Sequence, residues 1–354
     1  GAGISGIGMA AHLAMQCPDK SYVMLDRREQ LGGTWDLFRY PGIRSDSDMY
    51  TLGFRFAPWR EDETIAQGER IRNYLARVVS EHDIASHMRF GQHVTGANWD
   101  SARGVWVIDA TQPDGSVQQI VTRFVYMGTG YYDYDQPHDA EIPGLAKFGG
   151  QVIHPQFWPQ DLDYSGKRVV VIGSGATAVT LVPSMADKAA HVTMLQRTPT
   201  WYLIRPSRDK LANRLRRWLP EKLAYALVRL RNVKMQEFLF SKARENPAGV
   251  AEFLKSGIKA ELGEDFSETD FTPPYRPWQQ RLCLVPDGDM FAAMRSGKAS
   301  VVTGAIKTVD KQGIVLTDGR RVDADIIVTA TGLRLATLGK VAISMDGKPV
   351  DLAQ

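Results

Sequence analysis

The chain is organised around the stretch Phe148-Gly149-Gly150-Gln151-Val152-Ile153-His154-Pro155-Gln156-Phe157-Trp158-Pro159. A glycine-rich loop lies on each side of this stretch, so it must connect the two. Its spacing is FxGxxxHxxxWP, with Phe148, Gly150, His154, Trp158 and Pro159 at the fixed positions. A domain linker with a satisfied, partly buried histidine would fit the same letters, because a short motif is a hypothesis that needs context. The flanking sequence therefore has to decide.

Composition indicates a globular chain, with 44% hydrophobic and 23% charged residues in 354 positions, enough for two domains. The formal net charge of +3 gives no indication of nucleic-acid binding. Cys17 and Cys283 are far apart and form no CxxC pair, which favours a reducing, cytoplasmic compartment. No apolar run reaches the roughly 18 residues that a membrane span requires.

The first residues have the pattern of a dinucleotide-binding unit. Gly1, Gly3 and Gly6 form a GxGxxG, Ile7 to Gln16 have helical spacing, and an apolar strand ends in Asp26. A helix amino terminus offers N–H groups to a pyrophosphate, and a carboxylate at this distance accepts hydrogen bonds from an adenosine ribose. No strand precedes Gly1 and no methionine begins the chain, so we expect a fragment, and an amino-terminal targeting segment stays open.

A second unit of the same kind begins near residue 167. The strand Lys167–Ile172 leads into a glycine turn and then a helix to about Asp187, and the next strand ends in Arg197. A guanidinium at this place suits the 2′-phosphate of NADPH, where a carboxylate would repel it. We therefore predict a nucleotide at the first turn and NADPH at the second. The predicted NADPH-binding residues are Gly173, Ser174, Gly175, Ala176, Thr177, Ala178, Arg197 and Thr198.

Each half continues with alternating strands and then an apolar strand that ends in Thr-Gly, at Thr129-Gly130 and at Thr331-Gly332. The sequence thus predicts an α/β fold of two Rossmann-like units, each with an antiparallel meander, plus a helical insertion. Disulfide reductases share this plan but need a redox-active cysteine pair, which this chain lacks. The predicted meander strands are Met88–Thr95, Gly104–Thr111 and Val117–Arg123, followed by a buried strand Phe124–Met127, and then Val301–Ile306, Gly313–Thr317 and Arg320–Val322 in the second half.

Two further stretches complete a family pattern: GGTWD at residues 32–36 and YPGIRSDSDMY at residues 40–50. Together with residues 148–159 they resemble the type I Baeyer–Villiger monooxygenases, class B flavoproteins, and specifically the mycobacterial members that activate thioamide prodrugs. The resemblance covers nearly the whole chain, although members of the family extend by roughly a quarter more. It implies a fragment that lacks both ends.

The resemblance also assigns residues to the cofactors. It places the GGTW loop along FAD, the Val94 backbone near the adenine, and the RxD loop of Arg44, Ser45 and Asp46 beneath the flavin and nicotinamide. With the glycine turn included, the residues assigned to FAD are Gly1, Gly3, Ser5, Gly6, Asp26, Gly33, Thr34, Trp35, Asp36, Leu37, Arg44, Ser45, Asp46 and Val94.

Three residues are candidates for a part in catalysis. Arg281 resembles the active-site arginine of the family, whose permanent cation stabilises a deprotonated C4a-peroxyflavin. Asp46 is expected to hold Arg281 by a charge-assisted hydrogen bond. His154 is expected to couple domain rotation to the two half-reactions, which is a conformational role and not that of a base. A surface or phosphate-facing arginine remains the alternative for Arg281.

The insertion between Trp201 and Trp278 is largely helical by pattern, and its first part is basic. An apolar stripe of Leu211, Leu215, Trp218 and Leu219 leaves two interpretations open: a core stripe with a solvated basic face, or a helix that lies on a membrane surface. The basic residues are Arg205, Arg208, Lys210, Arg214, Arg216, Arg217, Lys222, Arg229, Arg231 and Lys234.

We predict an FAD-binding domain over residues 1–140, a hinge over 141–160, an NADP-binding domain over 161–328 with the insertion 201–278, and over 329–354 the start of a return to the FAD domain. The resemblance implies Baeyer–Villiger oxidation of ketones or S-oxygenation of thioethers and thioamides by dioxygen. Two alternatives stay open. One is an N/S-oxygenating flavin-containing monooxygenase, whose hinge usually ends in Tyr. The other is a catalytically inactive nucleotide-binding fragment.

Overall fold

A computed structural model describes residues 1–351. The last three positions of the predicted segment 329–354 lie outside the described residues. In chain order, the helices are α1 (Ile4–Gln16), α2 (Thr34–Leu37), α3 (Met49–Leu52), α4 (Gly68–Glu81), α5 (Ala176–Ala186), α6 (Lys210–Trp218), α7 (Glu221–Glu245), α8 (Pro247–Leu262), α9 (Glu268–Phe271) and α10 (Asp289–Arg295).

The strands follow in the same order. They are β1 (Met24–Leu25), β2 (Met88–Arg89), β3 (His93–Asp100), β4 (Val105–Thr111), β5 (Val117–Thr122), β6 (Gln151–Ile153), β7 (Arg168–Ile172), β8 (His191–Gln196), β9 (Tyr202–Arg205), β10 (Cys283–Pro286), β11 (Ala299–Thr303), β12 (Ile306–Val309), β13 (Gly313–Leu316), β14 (Arg321–Asp323), β15 (Ile326–Thr329), β16 (Ala342–Met345) and β17 (Lys348–Pro349).

The chain divides into two compact units. Unit 1 contains residues 1–37, 68–137 and those from Leu333 onward, and unit 2 contains 38–67 and 138–332. The sequence had assigned 38–67 to the FAD-binding domain 1–140 and had set 141–160 apart as a hinge. The structure instead groups both segments with unit 2, because residues 45–64 hydrogen-bond to other parts of that unit, such as Thr64 N to Ser207 O at 2.7 Å.

Unit 2 is built on a parallel sheet in the order β11-β8-β7-β15-β6, with α5 crossing between β7 and β8. The strands are mostly apolar, as expected for a parallel sheet covered on its faces. A small antiparallel meander of β12, β13 and β14 packs against it through Ile314, Leu316 and Val322, which are buried with Val170 and Ile327. The prediction of a second Rossmann unit with a meander is therefore confirmed here.

The first strand predicted for that meander, Val301–Ile306, is wrong. Residues Ala299–Thr303 form β11 and pair in parallel with β8, so they belong to the Rossmann sheet. The meander begins only at Ile306, after Gly304. The alternating sequence pattern could not show where β11 ends and β12 begins, because both strands are short and largely apolar.

In unit 1, α1 follows the glycine turn and β1 pairs in parallel with β2. The remaining strands form a sheet in the order β17-β16-β3-β4-β5, whose inner face buries Ala97, Ile108 and Val341. The predicted strand Met88–Thr95 is corrected: Met88 and Arg89 pair with β1, and the meander strand begins at His93.

The prediction of a buried strand at Phe124–Met127 is also corrected. Val125 and Met127 pack on the meander, but Phe124 is 71% exposed and Tyr126 is 49% exposed. The segment pairs with no strand among residues 1–351, whereas the corresponding β15 in unit 2 has a neighbour on each side. Side chains of residues 124–127 therefore still alternate between two faces without a hydrogen-bonded neighbouring strand, but only one of these faces packs on the meander.

The insertion is helical from α6 to α9, as predicted, and β9 and β10 pair in parallel at its two ends. Trp201, Ala243, Val250 and Leu254 form a buried cluster within it.

None of the helices in the described part of the chain is both long enough and apolar enough to cross a membrane.

Candidate functional site

The first glycine turn ends at the start of α1. Gly3 is the N-cap residue with φ −84° and ψ −175°, and no side chain caps the helix. The N-cap residue therefore offers no side-chain acceptor to the amide groups of the first helical turn, which is the arrangement that binds phosphate at helix amino termini.

The turn has room only for glycine. A Cβ on Gly6 would lie 1.8 Å from the Gly1 carbonyl oxygen, and a Cβ on Gly1 would lie 2.2 Å from the Gly128 carbonyl oxygen. Gly33 has φ +56°, and its added Cβ would meet the Gly3 Cα at 2.8 Å. Three separate segments thus pack backbone against backbone at this point, which explains why glycine recurs in each.

Asp26 faces this turn. Its Oδ2 accepts a hydrogen bond from Ala2 N at 2.6 Å, and its Oδ1 accepts one from Arg28 N at 2.8 Å. The carboxylate lines the cleft beside the turn as well, and each oxygen has a further lone pair. Asp26 is therefore placed where a ribose hydroxyl could bond to it.

The cleft beside the turn contains most of the residues assigned to FAD within unit 1. Those that line it are Gly1, Gly3, Ser5, Asp26, Gly33, Thr34, Trp35 and Val94. Gly6 and Leu37 lie behind the lining, and Arg44, Ser45 and Asp46 belong to unit 2. The helix terminus, the carboxylate and the glycine-lined walls fit an adenine dinucleotide.

Asp36 does not line the cleft. Its carboxylate is completely buried and accepts a hydrogen bond from Arg28 Nε at 2.6 Å, with Arg72 Nη1 at 3.7 Å. A buried carboxylate needs such partners. The structure therefore gives Asp36 the task of holding the GGTW loop against β1 and α4.

Sequence reasoning missed the opposite wall of the cleft. Lys340 bridges the buried Asp133 at 2.6 Å and Asp135 at 3.1 Å, and Arg27 pairs with Asp135 at 2.7 Å. The guanidinium of Arg27 also lies 5.3 Å from the centre of the Tyr134 ring. These residues come from segments without a recognisable motif, so no local signal pointed to them.

The second glycine turn repeats the first. Gly175, the N-cap of α5, has φ −81° and ψ −178° and no side-chain cap, nearly the values of Gly3. Gly173 has φ +134°, and a Cβ there would meet the Ala330 carbonyl oxygen at 2.3 Å. Ser174 Oγ donates to Thr198 O at 3.1 Å, which ties the turn to the end of β8. Arg197, the residue before Thr198, is exposed.

The RxD loop is held within unit 2. Arg44 forms a bidentate ion pair with Asp289, and Ser45 is buried, with its amide donating to Ala66 O at 2.8 Å. Asp46 is exposed. Tyr40, just before the loop, hydrogen-bonds to Thr177 of the second glycine turn, and burial raises the pKa of Tyr40 to about 12.

Asp46 and Arg281 are both exposed, and no ion pair within 4.0 Å links them in the described structure. The predicted direct bond is therefore not formed here, since each side chain extends into solvent. The Asp46 charge does act on Cys283, which comes two residues after Arg281. Burial, chiefly, and this charge raise the pKa of the Cys283 thiol to about 12.

His154 lies at the end of β6 and makes two hydrogen bonds. Its Nδ1 accepts from Gln156 N at 3.2 Å, and its Nε2 lies 3.3 Å from Gly332 O, to which the Nε2–H tautomer donates. Partial burial lowers the pKa of His154, opposed by the Gly332 carbonyl and assisted by His138. Gly332 is the last residue of unit 2 before the chain enters unit 1.

No group of three or more His, Cys, Asp or Glu side chains in residues 1–351 has the arrangement to hold a metal ion. The side chains at the two turns are of the kinds expected for dinucleotide sites. Their charges differ in the predicted sense, with a carboxylate after the first and a guanidinium after the second.

Comparison with known proteins agrees with this geometry. Residues 54–246 match the flavin-binding monooxygenase-like family, and residues 1–62 match the NAD(P)-binding Rossmann-like domain. The FAD-containing monooxygenase EthA of Mycobacterium tuberculosis is 49% identical over 354 residues, covering 99% of this chain and 72% of that protein. The probable FAD-binding monooxygenase AlmA of an Acinetobacter species is 48% identical over 355 residues, covering 100% and 71%.

Solved structures share the fold. The steroid monooxygenase bound to NADP superposes with a TM-score of 0.75 at 24% identity, covering 97% of this chain and 72% of that one. Cyclohexanone monooxygenase from Rhodococcus sp. Phi1, bound to NADP+, gives 0.73 at 21% identity, covering 99% and 73%. The two-dinucleotide-binding flavoprotein fold predicted from the sequence is confirmed.

Proposed function

The chain belongs to the flavin-binding monooxygenase-like family, and from this premise we propose that it inserts one oxygen atom of dioxygen into an organic substrate, using FAD and NADPH. Family membership confirms the predicted class of enzyme, a flavin-dependent monooxygenase. The finer proposal is Baeyer–Villiger oxidation of a ketone, or S-oxygenation of a thioether or thioamide.

The observation that carries the proposal is the change of charge between two turns with the same backbone. Gly3 and Gly175 have almost identical φ and ψ, so both turns offer helix amides to a diphosphate. Asp26 lies beside the first and suits a ribose hydroxyl. Arg197 follows the strand tied to the second and suits a 2′-phosphate. The pair of residues therefore assigns FAD to unit 1 and NADPH to unit 2.

When bound, NADPH and FAD would supply the hydride-transfer and oxygen-transfer chemistry. The residues of the chain orient the cofactors and stabilise charge. Arg281 offers a cation that stays charged throughout the working pH range. The Arg44–Asp289 ion pair holds the loop that carries Asp46, close to the strand after Arg281. His154 contributes through its hydrogen bond to Gly332 and does not act as a base.

The test is a purified-protein assay with NADPH and NADH, a simple ketone and a thioether, with product analysis in labelled dioxygen. We expect flavin absorbance, faster flavin reduction by NADPH than by NADH, and one labelled oxygen in the ester or sulfoxide. Sulfoxide or N-oxide alone would favour the N/S-oxygenating alternative. Absence of flavin binding would favour the inactive nucleotide-binding fragment.

We also propose that α6 and α7 form a surface that binds anionic membranes peripherally. Large apolar side chains are exposed along the two helices, with Trp218 80% exposed and Phe238 60% exposed. These exposed residues include Leu211, Trp218, Leu223, Leu227, Leu230 and Phe238.

Charge favours a lipid partner for this surface. Lys210, Arg214, Arg217 and Lys222 are exposed and form no ion pair within 4.0 Å among residues 1–351. Several other basic residues predicted there have internal partners: Arg231 pairs with Asp209, Arg216 with Asp62 and Arg208 with Glu63. A basic, apolar-striped helix of this kind lies in the plane of an anionic bilayer.

Flotation with vesicles of phosphatidylglycerol, compared with neutral phosphatidylcholine, tests this surface. We expect binding only to the anionic vesicles and loss of most of it in Trp218→Ser and in Arg214→Glu with Arg217→Glu. Equal recovery with both vesicle types, or unchanged recovery of the variants, would refute it. A concentration-dependent dimer that Trp218→Ser abolishes would assign the face to a second copy instead.

A further inference from the structure

The segment that carries the RxD loop is fixed by the insertion helix α7, through a buried hydrogen bond between Asp48 and Asn232. Asn232 Nδ2 donates to Asp48 Oδ1 at 2.8 Å, and both residues are 2% exposed. The two residues are 184 positions apart in sequence. This contact joins the loop after Asp46 to the middle of α7.

Asp48 depends on neutral donors. Its other hydrogen bonds come from Thr51 N at 3.1 Å, from Thr51 Oγ1 at 3.0 Å and from Gln236 Nε2 at 3.4 Å. No lysine or arginine lies within 4.0 Å of its carboxylate in the described part of the chain. A carboxylate at this depth is costly unless its oxygens are hydrogen-bonded. Loss of the amide donor therefore favours movement of the loop toward water.

Asn232 is itself oriented. Arg231 donates to Asn232 Oδ1 from Nε at 3.0 Å and from Nη2 at 2.8 Å, and Arg231 pairs with Asp209. With its oxygen engaged there, the amide can present only its NH2 group to Asp48. The chain of contacts runs from Asp209 through Arg231 and Asn232 to Asp48 without a break.

Further contacts of α7 follow the same segment. Arg229 Nη1 donates to Tyr50 O at 2.5 Å and to Gly53 O at 2.9 Å, and Tyr225 OH donates to Phe54 O at 3.1 Å. These contacts hold the residues after Asp48, whereas the Arg44–Asp289 pair holds those before Asp46. Asp46 lies between the two anchors, and its own side chain is exposed.

We propose that Asn232 is a positioning residue for oxygenation: through Asp48 it fixes the loop that carries Asp46. The proposal deepens the proposed function, on which it rests. Asn232 touches neither cofactor nor substrate in this assignment, so its removal leaves both nucleotide turns intact. What it controls is the position of the loop that carries the Asp46 carboxylate.

The experiment compares Asn232→Ala with Asn246→Ala. Asn246 is the cap residue that ends the same helix, and its side chain accepts a hydrogen bond from Gly249 N at 3.0 Å. Hydrogen–deuterium exchange is measured over residues 44–54, together with flavin content and the ratio of oxygenated product to NADPH consumed. We expect Asn232→Ala to raise exchange in this segment at least fivefold, to divert most NADPH consumption to hydrogen peroxide, and to keep FAD bound. Asn246→Ala should match the wild type.

A reciprocal exchange sharpens the test. Asp48→Asn with Asn232→Asp keeps one carboxylate and one amide in contact, so it should restore much of the coupling that Asn232→Asp alone loses. Wild-type coupling and exchange in Asn232→Ala would overturn the proposal. So would loss of stability throughout the protein, without a selective effect on the segment. If the wild type makes no product at all, the proposed function fails, while the exchange data still decide whether Asn232 anchors the loop.

Discussion

The two dinucleotide-binding turns have nearly the same backbone, but the strands behind them differ. Gly3 and Gly175 agree within a few degrees in φ and ψ. Behind the second turn, β15 is paired on both sides, whereas residues 124–127 behind the first have no ladder among the described residues. The comparison teaches that close glycine packing sets the turn, while burial of a strand depends on its neighbours in the sheet.

The largest change in cofactor affinity should come from substitution at the third fixed position of the GxGxxG pattern. This position is Gly6 in the first turn and Ala178 in the second. A Cβ on Gly6 would lie 1.8 Å from Gly1 O, whereas Ala178 is accommodated and fully buried. Overpacking of this kind costs about 1–3 kcal/mol or more, so Gly6→Ala should weaken FAD binding by about 100-fold.

The matched change, Ala178→Gly, should alter NADPH binding by only a few-fold, because glycine in a helix costs about 1 kcal/mol. Titration of each variant with its cofactor, followed by flavin fluorescence or calorimetry, measures both. Equal losses in the two variants would break the comparison, since the turns would then differ in more than their packing.

The second test addresses the strands. Ile327 of β15 is fully buried, so Ile327→Ala should lower the free energy of unfolding by about 2–5 kcal/mol. Phe124 is mostly exposed, so Phe124→Ser should change it by no more than about 0.5 kcal/mol. Urea denaturation of the two variants measures the contrast. A comparable loss at Phe124 would mean that residues 124–127 are buried on both faces after all.

The same contrast explains how far the sequence alone could lead. The local sequence predicts the two glycine turns, the charges of Asp26 and Arg197 and the second Rossmann sheet. It can do so because an apolar strand followed by this glycine spacing usually forms a strand, a tight turn and a helix. The boundary at residue 140, the strand at 124–127 and the bond from Asp46 to Arg281 depend on which distant segment packs nearby. The Lys340–Asp133 ion pair and the Asn232–Asp48 hydrogen bond could not be predicted from local sequence patterns, since each joins segments far apart in sequence.

The third test concerns charge at the turns. Hydrogen bonds to a charged group contribute about 1.5–3 kcal/mol, so Arg197→Ala should weaken NADPH binding by about 10- to 100-fold. NADH lacks the 2′-phosphate, and its affinity should hardly change. Dissociation constants from calorimetry for both nucleotides decide the matter. A parallel loss for NADH would place Arg197 at the diphosphate or make its role structural.

We expect the smallest change, in thermal stability, from a test of the two Thr-Gly pairs, Thr129-Gly130 in the first half and Thr331-Gly332 in the second. Gly332 is bonded by the His154 ring, whereas Gly130 has φ +72° and nothing within 4 Å of an added Cβ. Partial burial lowers the pKa of His154 in the folded protein below its ordinary value of about 6.5. Protonation of Nδ1 would also place a proton against the Gln156 amide that now donates to it.

The unfolded chain therefore binds more protons than the folded one between the lowered pKa and about pH 6.5, and stability rises with pH across that window. The contribution of neutral His154 is complete above about pH 6.5 and is lost as the pH falls through the folded pKa. His154→Gln can still donate to Gly332 O and has no ring to protonate. Its melting temperature relative to the wild type should rise between pH 7.5 and pH 5.5. An unchanged difference over this range would show that the ring is as easily protonated in the folded chain as in water, and that the second Thr-Gly is no more restrained by it than the first.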